Sequence, residues 1–336
     1  MPIGTARSFS LSGESGGERM RIFRQMISLA LVIALFAGFN VGVYGLVTSR
    51  CANNFGTASQ LRSIDAENYR PFDEQSRIVK HEASLQMEDD LPVLDGATAL
   101  LPVYAAVAHA VYPADSCPYD ESGYLPHSAV QYRNTVGAYK AVVDGTADIV
   151  FCAEASAEQK AYAKEQGVEL VFQPIGHEAF VFFVNAKNPV EDVTQEQIRG
   201  IYAGKITNWR EVGGPNRLIH PIDRQPGSGS QSAMLRFMGD MPIRKSPFAF
   251  LGASIGFSFR YYVEGIVADS HIKMLKVDGV EPSAESIRSG AYPVVSHFYA
   301  VYRKDDPNPN VKLLVDWLLT EEGQRIINES GYVGLI

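Results

Sequence analysis

The 336-residue chain is 46% hydrophobic and 20% charged, which excludes collagen-like, coiled-coil and wholly disordered classes and leaves room for about two folding units. Three cysteines exclude a disulfide-dense scaffold and argue against a structural zinc site. A formal net charge of −8 argues against broad nucleic-acid binding, which needs a basic surface, and on its face against an anionic ligand too.

The charge is uneven. Residues 1–25 sum to +2 through Arg7, Arg19, Arg21 and Arg24 against Glu14 and Glu18, so the rest of the chain sums to −10. Serines and glycines crowd this lead, which reads as a disordered cytoplasmic segment over 1–25. An uncharged run follows from Met26 to Val47 (MISLALVIALFAGFNVGVYGLV). As a helix rising about 1.5 Å per residue it spans about 33 Å, enough for a bilayer core of about 30 Å. The run is longer than the apolar core of a cleaved signal peptide, and Arg50 stands before Cys51 where a lipoprotein signal has a small residue. The preferred reading is an uncleaved transmembrane signal anchor over 26–47, with cleavage near Ala34–Gly38 as the alternative. Three arginines before the run against one soon after it place the N-terminus in the cytoplasm and the rest outside, as a single-pass protein of the cell membrane. Residues 48–88, rich in turn formers and charges, read as a stem, with weak strand signals at Ser76–Lys80 and Ser84–Met87.

From Leu91 apolar strands alternate with helical stretches. Strands are expected at Leu91–Leu94, Val130–Arg133, Ala147–Cys152, Val168–Phe172, Phe180–Asn185 and Leu218–Ile222. Helices are expected at Pro102–Val111, Val136–Asp144, Ala157–Gln166, Gln195–Ala203 and Ser232–Met238. The alternation predicts an α/β protein with a mostly parallel sheet, in which ligands sit where strands lead into helix N-termini.

Three such loops carry hydroxyls: Leu94–Leu100 with Thr98, Arg133–Gly137 with Thr135, and Ile222–Gln231 with Arg224, Ser228 and Ser230. Free backbone N–H groups, hydroxyls and one guanidinium make an oxyanion cradle, although each loop alone also reads as an ordinary helix cap. No lysine follows the glycines as in a nucleotide phosphate loop, and Gly227–Gln231 lacks the register of a nucleophile elbow.

The run Ile201–Gly214 (IYAGKITNWREVGG) with Arg224 and Gly227–Ser230 (GSGS) strongly resembles the phosphate-binding proteins that serve ABC-type phosphate importers. Asp95–Thr98 (DGAT), Pro102–Ala106 (PVYAA), Tyr292–Val294 (YPV) and the C-terminal stretch Leu313–Leu335 fit the same family, so the resemblance covers about 89–336. It implies a two-lobed periplasmic-binding-protein-like α/β fold of type II with the ligand cleft between lobes, preceded here by one N-terminal transmembrane helix. Lobe 1 would hold about 89–175 and 275–336, and lobe 2 about 176–274. The resemblance further implies a binding protein without enzymatic activity, cofactor or metal, whose partners are inorganic phosphate, the importer's membrane subunits and, through the anchor, the membrane. The competing reading is a tethered sensor or interaction protein that uses the same fold for another oxyanion or small ligand. An external phosphatase ranks below both, for want of a metal cluster, a triad or paired carboxylates.

Residue by residue, the resemblance carries ligand contacts onto Thr98, the backbone N–H of Ala99, Thr135, Arg224, Ser228, Gly229 and Ser230. One departure stands out. Family members place an aspartate after the strand ADIVFC, accepting the proton of protonated phosphate; here Ala153 holds that position and Glu154 follows. A carboxylate there repels fully deprotonated oxyanions, a route to selecting phosphate over sulfate. Glu154 therefore has two readings, ligand acceptor or solvent-facing glutamate. Cys117 and Cys152 likewise have two, a disulfide in an oxidising exterior or two buried thiols. Trp209 and Trp317 read as core, His109, His177 and His297 lack metal-ligand spacing, and Glu321–Glu322 reads as helix surface. If Glu154 is the acceptor, Glu154→Gln relaxes phosphate-over-sulfate selectivity in calorimetric titrations; if it faces solvent, selectivity is unchanged.

Overall fold

One helix, α1 (Ser15–Ala52), forms the first of two units in the computed structural model, which describes residues 15–52, 65–244 and 252–336. Its stretch Phe23–Val43 is apolar, 21 residues long and uncovered by protein, the length and surface of a membrane-spanning helix. The helix starts within the expected disordered lead, so residues 15–25 are helical. Residues 1–14 lie outside the described ones, as do the side chain of Cys51 and residues 53–64 of the expected stem.

The second unit runs, in its first half, through β1 (Leu94–Gly96), α2 (Leu101–Val111), β2 (Tyr119–Asp120), β3 (Gly123–Tyr124), α3 (Asn134–Asp144), β4 (Ile149–Ala153), α4 (Ala157–Glu165) and β5 (Leu170–Asn185). Then come β6 (Asp192–Val193), α5 (Gln195–Tyr202), β7 (Ile219–Pro221), α6 (Gly229–Met238), β8 (Ala253–Phe259), β9 (Ile272–Met274) and β10 (Lys276–Val277). The last elements are α7 (Ala284–Arg288), β11 (Val295–Arg303), α8 (Pro309–Leu318), α9 (Glu321–Glu329) and β12 (Val333–Gly334). Capping boxes start α4 (Ser156 with Gln159) and α5 (Thr194 with Gln197), satisfying N–H groups that a helix start leaves open. The strand expected at Val130–Arg133 is only a bridge from Val130 to Leu94.

The main sheet has the order β1-β4-β11-β5-β8-β7, with β9 and β12 also paired to β5. Only the outer pairs β1–β4 and β7–β8 are parallel; β11 runs antiparallel to β4 and β5, and β5 antiparallel to β8. The sheet is therefore mixed, not mostly parallel. Alternating strands and helices report that strands exist, but β11 enters the middle from far along the chain and its direction leaves no local trace. The two strands expected at Val168–Phe172 and Phe180–Asn185 are one 16-residue strand, β5. Its first half pairs with β11 and its second with β8 and β9, and a bulge falls beside Pro174, which has no N–H to give the ladder.

Burial divides the mixed α/β unit into two lobes. One core gathers α2, α3, β4 and α8 around Leu101, Tyr139, Phe151 and Trp317; the other gathers Phe180, Phe182, Tyr202, Trp209 and Phe257. Leu275, Val277, Ile287 and Tyr292 are buried in the second core, so the return to lobe 1 comes at β11 and not near residue 275. The expected stem is corrected as well. From residue 65 the chain wraps lobe 1, burying Tyr69, Ile78 and Met87 in its core without the two weakly signalled strands. Met87 N–H donates to the Val111 carbonyl and Ser84 Oγ donates to Glu322. These apolar residues follow no period, so nothing in the sequence marks them as core. Cys117 and Cys152 are free thiols, not a disulfide. Cys117 lies beside Ser116 and Val130, Cys152 beside Asp95 and Ala97, and burial pushes the Cys117 thiol up to about 11.

The wrap yields a prediction. Burying three large side chains stabilises by about 1.5–3 kcal/mol each as an upper estimate. A chain starting at residue 89 should therefore melt about 10 °C or more below one starting at residue 65, at about 2–4 °C per kcal/mol. Equal melting temperatures would restore the stem.

Candidate functional site

Asp95, at the centre of β1, has no solvent exposure and uses both carboxylate oxygens. Oδ1 accepts from the Gly96 N–H at 2.8 Å and the Arg133 N–H at 3.0 Å; Oδ2 accepts from Arg133 Nη1 at 2.8 Å. Burial pushes this carboxyl up, while the Arg133 and Gly96 contacts pull it down. The cluster ties the loop before α2 to the loop before α3. Tyr132 adds a second tie, its hydroxyl donating to Thr98 Oγ1 at 3.1 Å. Asn134 opens α3 at a φ of 58°, with its Oδ1 accepting from the Val136 N–H at 3.1 Å, which presents Thr135 beside it. Asparagine tolerates this left-handed backbone better than most residues.

The third loop belongs to lobe 2. Gly227 turns the chain at a φ of 75°, and Ser228 caps α6 by accepting from the Gln231 N–H at 3.2 Å. Arg224 is set by its own N–H, which donates to Gln231 Oε1 at 2.9 Å, and its guanidinium lies 5.7 Å from the Tyr262 ring. Burial raises the Tyr262 hydroxyl's pKa, against the pull of that guanidinium. Ser230 Oγ meets Ser258 Oγ of β8 at 3.5 Å.

The three loops line one cleft of about 270 Å³. Thr98, Ala99, Thr135, Arg224, Ser228, Gly229 and Ser230, all named from the sequence, border it together. The lobes touch at its edge: Gln159 Nε2 of α4 donates to the Gly227 carbonyl at 3.1 Å. A Cβ on Gly229 would already stand 3.5–3.6 Å from Ala153, Phe259 and Thr135. Helices α3 and α6 begin at this cleft, as does the 3-10 turn Thr98–Leu100 that leads into α2, and a helix N-terminus carries about half a positive charge. With several hydroxyls and one guanidinium, the lining suits a small oxyanion. Asp223 also lines the cleft.

Glu154 is not part of this lining. Its carboxylate binds Lys160 Nζ at 2.6 Å and lies 3.6 Å from Arg236 Nε, and the Lys160 hydrogen bond holds its pKa down. Consecutive residues at a strand end point to opposite faces, so buried Ala153 takes the inner side and Glu154 the outer. In this structure Glu154 is paired with Lys160 and Arg236 and does not border the cleft. Sequence reasoning also missed Tyr132, Asp223, Ser258 and Tyr262 as lining residues. Ser254, Gly256 and Ser258 form a period-two row of small residues in the otherwise apolar β8, the one signal that pointed there. No group of three or more candidate metal ligands occurs among the described residues.

Among known proteins, the PBP superfamily domain matches residues 92–322. "Phosphate-binding protein PstS" of Bacillus subtilis is 27% identical over 164 residues, 45% of this chain and 53% of that protein. The protein of the same name from Borreliella burgdorferi is 26% identical over 192 residues, 51% of this chain and 67% of its own. The matches thus span about half to two thirds of those relatives. A solved structure from Clostridium perfringens, described as a candidate phosphate ABC transporter substrate-binding protein with bound phosphate, aligns at TM-score 0.55 and 24% identity. That alignment covers 72% of this chain and 98% of the other, and it is a likeness of fold.

Truncating Asp95 tests the site's frame. Asp95→Ala leaves two amides and a guanidinium without their acceptor and should cost about 3 kcal/mol in urea unfolding. Asp95→Asn keeps the Oδ1 acceptor for the two amides but turns an NH2 donor toward Arg133 Nη1, so it should recover only part of that loss.

Proposed function

The chain belongs to the PBP superfamily, and on that footing we propose that it captures inorganic phosphate outside the cytoplasm for an ABC-type importer, tethered to the membrane by α1. The observation that carries this reading is the convergence of seven oxyanion-binding positions from two lobes on one cleft. Hydrogen bonds and helix dipoles there replace the ligand's water, and the lobes close about the strands they share, β5 and β11. The reading is of a binding protein, not an enzyme. An N-terminus in the cytoplasm with the binding unit outside follows from the arginines that precede the apolar stretch. The names of the relatives support phosphate as the ligand.

Calorimetric titration of the full chain with phosphate, arsenate and sulfate tests it. Phosphate and arsenate should bind and sulfate should bind more weakly; no phosphate binding at about 1 mM would overturn the reading. Arg224→Ala removes charge-assisted hydrogen bonds of about 1.5–3 kcal/mol and should weaken phosphate about 10- to 100-fold. Glu154→Gln should leave the phosphate-to-sulfate ratio unchanged, because an exposed ion pair contributes at most about 1 kcal/mol and this one touches no ligand position.

A further inference from the structure

Beside the cradle lies a second, small space that the capture function leaves unused. It holds about 20 Å³, enough for a single water molecule, and Ala97, Ala99 and Phe259 line both it and the main cleft. Its remaining wall includes Glu178 of β5, His297 of β11 and Tyr332. Glu178 is 3% exposed. Its Oε1 accepts from the Ala179 N–H at 3.0 Å, while its Oε2 has no hydrogen-bond partner of normal geometry. The nearest cation, Arg260, holds its otherwise unpartnered Nε 3.7 Å from Oε1 in a buried ion pair, while Nη1 binds Glu264 and Nη2 donates to the Gly331 carbonyl. Tyr332 donates its hydroxyl to the Ala99 carbonyl, so the Ala99 loop is anchored to the wall of the same small space.

We propose that Glu178 is a specificity-determining residue set beside the phosphate cradle, whose Oε2 takes up a proton from solvent as the anion enters the cleft. The proposal rests on the phosphate reading above. An anion in the cleft and an ionised Glu178 would lie on either side of Ala97, Ala99 and Phe259 and repel, so an anion in the cleft favours the neutral carboxyl. The coupling is reciprocal: protonation of Glu178 raises affinity for the anion, and ionisation penalises a doubly charged one most. The groups around Glu178 are Arg260, Tyr261 and Glu264 from the segment after β8 and Tyr332, with His297 of β11 bordering the same space; His177, next to Glu178 on β5, points to the opposite face and stacks on His297. Burial outweighs the attraction of Arg260 and the neighbouring amides and lifts this carboxyl to about 7, where it titrates at working pH. Affinity should accordingly fall as pH rises through neutrality.

The test compares the full chain with Glu178→Gln in calorimetric titrations with inorganic phosphate between about pH 5.5 and about pH 8.5. Titration of phosphate itself is common to both proteins, so the ratio of their dissociation constants isolates Glu178. The unmutated protein should match the variant at the acid end and bind about tenfold more weakly at the alkaline end. A ratio independent of pH, with binding intact, overturns the role of Glu178 alone; absence of phosphate binding in both proteins overturns the capture reading and this proposal with it. Should the variant fail to fold, infrared difference spectra of the unmutated protein at about pH 7.5 decide. Addition of phosphate must raise a protonated-carboxyl band, and no such band overturns the proposal.

Discussion

The buried carboxylate of Asp95 is the contact on which the binding face of lobe 1 depends. It lies in the middle of a strand of three residues, yet it accepts hydrogen bonds from the next residue and from Arg133, in the loop before α3. One group therefore sets two helix starts relative to each other, and Tyr132 repeats the tie from the opposite side through Thr98. Without it, the amides and hydroxyls of Thr98, Ala99 and Thr135 would be separate helix caps. With it, they form one surface. Such a cluster works only when fully satisfied, since a buried donor without an acceptor costs more than an average hydrogen bond contributes.

Charge distribution follows the same logic. Everything after residue 25 carries a formal charge of −10, yet the cleft is lined by helix N-termini, hydroxyls and a single arginine, with Asp223 as its one carboxylate. The whole-chain charge governs solubility and long-range approach, while affinity resides in dipoles held within a few ångströms of the ligand. The negative total thus argues only against capture steered from a distance. Carboxylates near the cleft occupy graded positions: Asp223 in the lining, Glu178 in the small space beside it, and Glu154 turned out toward Lys160.

Much of this was legible in the chain itself. Thr98, Thr135 and Ser228–Ser230 announce themselves because a hydroxyl or glycine at a strand-to-helix junction has a local cause, the open N–H groups of a helix start. Glu154 was not decidable, because its two readings differ by the face of a strand end and one residue of register exchanges them. Tyr69, Ile78 and Met87 were read as stem because an irregular segment buries side chains without any period. Glu178 drew no attention at all: a glutamate within the strand stretch LVFQPIGHEAFVFFVN carries no mark of depth until β8, β11 and the C-terminal turn close around it.

By itself the sequence determined most of the local elements from Leu91 to Met238, the apolar N-terminal run, the three hydroxyl-bearing loops and the family resemblance, all properties of spacing along the chain. Tertiary structure alone decided the antiparallel centre of the sheet, the return to lobe 1 at β11, the separation of Cys117 from Cys152, and which carboxylates border the cleft. Those outcomes depend on contacts between residues tens to more than a hundred positions apart, as between Glu178 and Ser296, and no local period or motif encodes such distances.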